Sequence, residues 1–225
     1  MSNQEQALLA RCAAIATSTW SDAMDTLGMA GVVQGIPRRG GQGRMAGFAV
    51  TARHVWGGLG DFDRADFAVG RLVAATGPGR VLMVDAGGTC ISTFGGIASM
   101  AASRRAATAV VIDGACRDVD EIAATGLWLA SRHVTPLTGK TRLKLQAMGE
   151  PVTIGGVPVA EGDLVVGDDT GLVVVPRARL QEVLAAAEEA LAVDGRVEQG
   201  IRDGLSFAEA AAAANYIPAS AGGQA

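Results

Sequence analysis

The chain contains 225 residues, 49% hydrophobic and 19% charged, which supports one sizeable core and fits one domain better than two. A formal net charge of −4 and a pI near 5.2 argue against a broad nucleic-acid footprint. The three cysteines, Cys12, Cys90 and Cys116, have no close paired spacing and no neighbouring His cluster, which speaks against a zinc-type site and suits a reduced cytosol.

The first predicted helix covers residues 4–16. A second starts at Thr19-Trp-Ser-Asp22, with Thr19 as cap, Asp22 in the first turn and Gly28 as stop. Trp20, Met24 and Leu27 share one face, while Ser21, Asp22 and Asp25 read more readily as capping and solvated groups than as pocket residues. No apolar run approaches the roughly 20 residues of a membrane helix, and Arg11 interrupts the N-terminal Ala/Leu stretch, so a cytoplasmic protein without membrane contact is expected. Proline, glycines and arginines mark 36–47 as a loop in which Arg38 and Arg39 are solvated or attract an anion. Residues 49–55 read as a strand carrying His54, a packed or partly exposed structural residue in preference to a base. A Gly-Gly turn and a helix over 66–75 follow, and the turn Gly77-Pro78-Gly79 delivers the chain into its central stretch.

That stretch runs from Val81 to Asp118. Val81 to Val84 is a short buried strand that stops at Asp85-Ala-Gly-Gly, and Gly95-Gly96 opens a helix of small and apolar residues. Ala109 to Asp113 is a second strand ending at Gly114, with Ala115-Cys-Arg-Asp118 as a loop into another helix. Strand, helix and strand in this span predict a right-handed βαβ unit with parallel, neighbouring strands. Ligands in open α/β sheets sit at the carboxyl ends of the strands, so Asp85 to Gly88, Gly95-Gly96 and Gly114 to Asp118 are expected to converge on one crevice. A glycine-opened helix leaves N–H groups that suit a carboxylate or phosphate; Arg117 adds a planar cationic fork, and Asp118 a hard oxygen ligand for Mg²⁺ or Mn²⁺. The plainer alternatives are that Asp118 caps the following helix and that Arg117 pairs with Asp113 or Asp120. Cys116 beside Arg117 reads as a small buried residue, since no base accompanies it.

Beyond the site, 127–130 and 133–134 form a strand, and the polar, basic segment 138–150 is a lid, a subunit contact or a solvated loop. Residues 151–159, 163–166 and 172–175 are short antiparallel strands, with Asp168-Asp169 a turn in preference to a metal pair. Residues 177–197 form an amphipathic helix with Leu180, Val183, Leu184, Ala187 and Leu191 on one side. A shorter helix spans 207–215, and 219–225 reads as a frayed tail.

Gly79-Arg-Val-Leu-Met-Val-Asp85, Phe94-Gly-Gly-Ile-Ala-Ser-Met-Ala-Ala102, Val111-Ile-Asp-Gly-Ala-Cys-Arg-Asp118 and Gly162 to Pro176 together resemble the RraA-like proteins. These include 4-hydroxy-4-methyl-2-oxoglutarate aldolase, a class II pyruvate aldolase, and some members that inhibit an RNA-degrading endonuclease by protein contact. The resemblance covers roughly residues 17–215. It implies an α/β fold, a mixed sheet flanked by helices in a swivelling β/β/α domain. One such domain is expected over 1–225, with N-terminal helices at about 4–28 and a C-terminal helical extension at about 177–215. It further implies a homotrimer or hexamer with pockets at subunit interfaces. Carried over residue by residue, Arg117 binds the pyruvyl oxygen of a small 2-oxo acid and Asp118 holds a divalent metal, Mg²⁺ or Mn²⁺. The backbone of Gly95, Gly96, Ile97 and Ala98 takes the substrate carboxylate. The implied reaction is cleavage of a 4-hydroxy-2-oxo diacid to pyruvate, with oxaloacetate decarboxylation through the same enolate. The alternatives are a lyase for another 2-oxo acid or a binding protein that regulates a ribonuclease.

Two positions depart from the aldolase pattern. The acid that follows the first glycine of the helix-opening pair is Gly96 here, and the C-terminal acid aligns at Gly204-Leu205, with Glu198 and Glu209 nearby. No S-adenosylmethionine loop is present in the sequence.

Overall fold

The computed structural model describes residues 1–216. The N-terminal half comprises α1 (Asn3–Ala14), α2 (Thr17–Thr26), β1 (Val32–Val33), β2 (Arg38–Gly40), β3 (Met45–Trp56), a 3₁₀ turn at Arg64–Phe67, α3 (Val69–Ala75), β4 (Arg80–Asp85), β5 (Ser92–Phe94) and α4 (Gly96–Arg104). Then come β6 (Ala109–Cys116), α5 (Val119–Thr125), β7 (Leu129–Val134), β8 (Leu143–Met148), β9 (Val152–Ile154), β10 (Val157–Val159), β11 (Leu164–Gly167), β12 (Leu172–Val175), α6 (Leu180–Arg202) and α7 (Phe207–Ala214).

The result is an α/β fold built on a mixed sheet flanked by helices. The main sheet runs β1-β12-β11-β3-β4-β6-β7-β2, with β5 added to β6 and β8 to β3. Its centre is parallel, Val81 facing Ala109 and Asp85 facing Asp113, as the βαβ reading requires. Both faces of this centre are covered, so Val81–Val84 and Ala109–Ile112 are apolar runs and successive side chains serve different cores. Val81, Met83, Ala109 and Val111 meet the β9–β10 hairpin through Val152, Ile154, Val157 and Val159. Leu82, Val84, Val110 and Ile112 instead meet Leu72 of α3, Ala102 of α4 and Ile122 of α5. A further core places Trp20, Met24, Val183 and Leu184 on β11 and β12.

Several expected boundaries shift. The second helix starts at Thr17 rather than Thr19, which is buried within it; Asp168, from the β11–β12 turn, accepts from Thr17 N (2.9 Å) and Thr17 Oγ1 (2.7 Å). The 66–75 helix is broken at Ala68, which has φ 45°. The expected loop at 36–47 contains edge strand β2, paired with β7, and the start of β3. The polar segment 138–150 contains β8, antiparallel to β3, where Leu143 and Leu145 point inward and Lys144 and Gln146 outward. The long helix reaches Arg202, and Leu191 is exposed on it. The tail expected at 219–225 lies outside the described residues. Among those described, no helix is long and apolar enough to cross a membrane.

Candidate active site

Sheet parity decides which predicted residues meet. Asp85 and Asp113 continue the alternation that points Met83 and Val111 toward the hairpin, away from the helices. There Asp113, 7% exposed, accepts Arg132 Nε at 2.6 Å, Arg132 Nη2 at 3.0 Å and Gly155 N at 2.7 Å. The N–H groups of Ala86 and Gly88 donate to the Asp113 carbonyl, folding the 85–88 turn onto the same side. The expected convergence is therefore partial: Asp85 to Gly88 do not line the crevice at Gly95 and Arg117. Asp113 is occupied by Arg132 and is not the partner of Arg117.

The other two segments are brought together by β5. Ile91-Ser-Thr-Phe carries no strand or helix signal in the sequence, yet Ser92–Phe94 pairs in parallel with the end of β6, which continues through Gly114 to Cys116 instead of stopping at Gly114. Arg117 N donates to the Phe94 carbonyl at 3.0 Å, so the two strands deliver Gly95 and Arg117 side by side.

Asp118 occupies the N-cap position of α5 in the left-handed region, φ 56° and ψ 49°, but its side chain makes no cap bond there. It crosses instead to α4, where Oδ2 accepts from Gly96 N at 3.2 Å and lies 3.4 Å from Arg117 Nε. A non-glycine residue in this region costs about 1–3 kcal/mol and persists only where the surroundings dictate it. The glycine pair is sterically required. A β-carbon on Gly95 would lie 2.5 Å from Asp118 Oδ2 and 3.1 Å from Arg117 Nε. On Gly96 it would overlap Glu121 Oε2, with Glu121 Cβ at 2.6 Å and Cδ at 2.8 Å. With Gly96 N–H taken by Asp118, the first-turn N–H groups of Ile97 and Ala98 remain for an anion.

These residues border a cavity of about 370 Å³. Phe67, Val69, Val73, Phe94 and Ala101 give it an apolar wall, and Thr93, Arg117, Asp118, Thr138 and Lys140 a polar side. Gly95, Ile97 and Ala98 line it; Gly96 stands between them, buried. Arg117 and Asp118 side chains are 37% and 35% exposed, accessible to a small solute. The chemistry available is carboxylate binding at a helix N-terminus, guanidinium donation to a carbonyl oxygen, and hard-cation binding at a carboxylate. Among the described residues no group of three or more His, Cys, Asp or Glu is arranged to hold a metal. The donors here fit a cation such as Mg²⁺, which uses one or two carboxylates and fills its shell with water and substrate.

Nearby reactive groups are not aimed at this cavity. His54 is 3% exposed, stacked on Phe67 at 6.0 Å, with neither ring nitrogen hydrogen-bonded. Burial pushes its imidazole down to about 4, opposed only in part by the Phe67 backbone, so it is neutral; of the two structural expectations, packed or partly exposed, it is packed. Cys116 is fully buried; burial raises its thiol, and Ser131 Oγ donates to Sγ at 3.2 Å. Glu209 completes a capping box with Ser206 and Glu198 pairs with Arg202, so neither lines the cavity within this chain. Sequence reasoning missed Glu121, Thr93, Lys140 and the Arg132–Asp113 pair. Only the spacing of Asp118 and Glu121, three apart at a helix start, hinted at any of them.

The model of the RraA-like family, described as Aldolase/RraA, matches residues 17–174. A Halalkalibacterium halodurans protein provisionally named 4-hydroxy-4-methyl-2-oxoglutarate aldolase is 29% identical over 206 residues, covering 91% of this chain and 93% of its own. Among solved structures, an uncharacterized protein from Pseudomonas syringae pv. tomato superposes with a TM-score of 0.82 at 28% identity, over 92% of this chain and 94% of its own. Streptomyces coelicolor RraAS2, described as an unusual member of the RNase ES inhibitor RraA protein family, has a TM-score of 0.72 at 26% identity, over 81% and 91% of the two chains.

Proposed function

Because the chain belongs to the RraA-like family, we propose that it is a divalent-metal-dependent carbon–carbon lyase that cleaves a 4-hydroxy-2-oxo diacid, such as 4-hydroxy-4-methyl-2-oxoglutarate, to pyruvate. The observation that carries this reading is Asp118, held in the left-handed region beside Arg117 at the cavity wall, with its side chain turned from its own helix toward the start of α4.

The substrate carboxylate sits on the N–H groups of Ile97 and Ala98 at the α4 N-terminus, next to Gly95 and Gly96. Arg117 donates to the pyruvyl C2 oxygen, where negative charge develops as the C3–C4 bond breaks. Asp118 holds Mg²⁺ or Mn²⁺, which when bound supplies Lewis-acid stabilisation of that same charge. In the retro-aldol direction the C4 hydroxyl gives its proton to solvent water as C4 becomes a carbonyl and leaves as the second oxo-acid product; the C3–C4 bond electrons pass to C3 as the enolate, and C3 then takes a proton from water to give pyruvate. Oxaloacetate loses CO₂ by breaking the equivalent bond and reaches the same enolate. No Schiff base is needed, and Lys140, exposed at the cavity rim, lacks the apolar burial that activates such a lysine.

We also propose a homotrimer or hexamer in which a second subunit covers the cavity mouth. Ile97, 82% exposed, and Met100, three residues along the same face of α4, support this reading. Light scattering coupled to gel filtration tests it.

The deciding experiment measures pyruvate release from oxaloacetate and from 4-hydroxy-4-methyl-2-oxoglutarate, with Mg²⁺ or Mn²⁺ and with EDTA. The expected result is metal-dependent release by the wild type that Arg117→Ala and Asp118→Ala both lose. Release from neither compound by folded wild type refutes the assignment for these substrates. Release that survives EDTA and is trapped on Lys140 by borohydride refutes the metal route.

A further inference from the structure

The space above Gly96 is filled by a carboxylate from another element. Glu121, in the first turn of α5, packs on the Gly96 Cα so closely that a β-carbon there would collide with Glu121 Oε2, Cβ and Cδ. Moving only the tip of the side chain would not relieve this, because its root is also in the way. Gly96 lies between Gly95 and Ile97, both of which line the cavity, and its N–H is bound by Asp118. Two carboxylates from the start of α5 therefore flank two successive glycines at the start of α4.

We propose that Glu121 is the second carboxylate of the divalent-cation seat, acting with Asp118, and that Gly96 is the residue that makes room for it. The proposal rests on the metal-dependent reading above and assigns this chain's own substitute for the side chain absent at position 96.

Charge balance favours the pairing. The cavity side bearing Asp118 also carries Arg117 and Lys140. With Asp118 alone, those two cations outnumber the single carboxylate, and a doubly charged ion would enter a locally positive site. Glu121, exposed and packed on Gly96 beside the cavity lining rather than within it, brings the four side chains to neutral, and a bound divalent cation then leaves the positive excess that a dianionic substrate needs. Helix geometry agrees. Asp118 and Glu121, three residues apart, stand on one side of α5, and the side chain of neither is spent on a cap bond at its own helix start. A separate observation points to a polar ligand in the same cavity. Thr93 lines it, is 1% exposed, and its hydroxyl has no hydrogen-bond partner among the described residues. A buried hydroxyl with no protein partner is uncommon and suits a site that receives a polar ligand.

The test is Mn²⁺ binding to the full chain, read by electron paramagnetic resonance and by isothermal titration, with circular dichroism to verify folding. Glu121→Ala and Asp118→Ala are each expected to weaken Mn²⁺ binding by at least about tenfold, the scale on which losing a metal-site partner acts. Asp120→Ala, which removes an exposed acid between them, should leave it within about twofold. Gly96→Ala, which displaces Glu121, should weaken binding as Glu121→Ala does, and the double variant should be no weaker than either single one. Wild-type affinity in folded Glu121→Ala, with binding lost in Asp118→Ala, overturns the assignment of Glu121 and leaves the metal-dependent reading standing. No Mn²⁺ binding by the wild type, or binding unchanged in both carboxylate variants, overturns the two together.

Discussion

Replacing His54 by Phe should flatten the acid limb of the protein's stability curve. The imidazole is 3% exposed, stacked on Phe67, and held at about 4 by burial, against an ordinary value of 6.5. Because the folded value is depressed, the unfolded chain binds the extra proton first. The group's contribution is therefore complete above about pH 6.5 and is lost progressively as pH falls toward 4. The full shift corresponds to on the order of 3 kcal/mol, and at pH 5 about 2 kcal/mol of it is already gone. Phenylalanine keeps the stack and carries no proton. Any packing cost of the larger ring, roughly 1–3 kcal/mol, is independent of pH and moves the curve without tilting it. Urea unfolding of both proteins at half-unit steps from pH 4.5 to 7.5 isolates the effect, since carboxylates common to the two cancel in the difference. The wild type should lose about 2 kcal/mol more than the variant between pH 7 and pH 5. Parallel curves would refute the reasoning and mean that the buried imidazole gains a partner or water that lets it charge.

Arg132→Ala should cost about 2–3 kcal/mol in urea unfolding: it strands the buried Asp113 carboxylate with Gly155 N as its remaining donor, although the partial exposure of Arg132 reduces the usual penalty for breaking a buried pair. A loss below about 1 kcal/mol would show that Asp113 is solvated instead. Arg117→Lys keeps the charge but loses the planar fork, and kcat/KM for pyruvate release should fall by about 10²-fold or more with unfolding unchanged; wild-type kinetics would remove Arg117 from the reaction. In native protein at pH 8, Ellman's reagent should modify exposed Cys90 alone, because Cys12 is buried with its thiol pushed up to about 11 and Cys116 is buried and raised likewise. Rapid reaction of two thiols would contradict the packing of β6 or α1.

The sequence by itself determined the parallel strands at Val81–Val84 and Ala109–Asp113, the glycine-opened helix between them and the antiparallel run from 151 to 175, because each rests on local periodicity and turn chemistry. It also determined that Gly95, Arg117 and Asp118 would meet, since adjacent parallel strands bring their carboxyl ends to one rim. Tertiary structure alone decided which side of the sheet each group faced. Asp85 and Asp113 fall on the hairpin side by the two-residue alternation, where Arg132, distant in any local pattern, claims Asp113. Strand β5 was illegible because three residues carry too little apolar period, and β8 because its Leu143–Leu145 alternation is brief and set in a segment bearing Lys140, Arg142 and Lys144; their pairing with β6 and β3 is supplied by neighbours already in place. Glu121 belongs to the same class. Within α5 only its spacing from Asp118 marks it, and its meaning comes from the missing β-carbon of Gly96 on a different helix, a complementarity that exists only when the two helix starts are packed together.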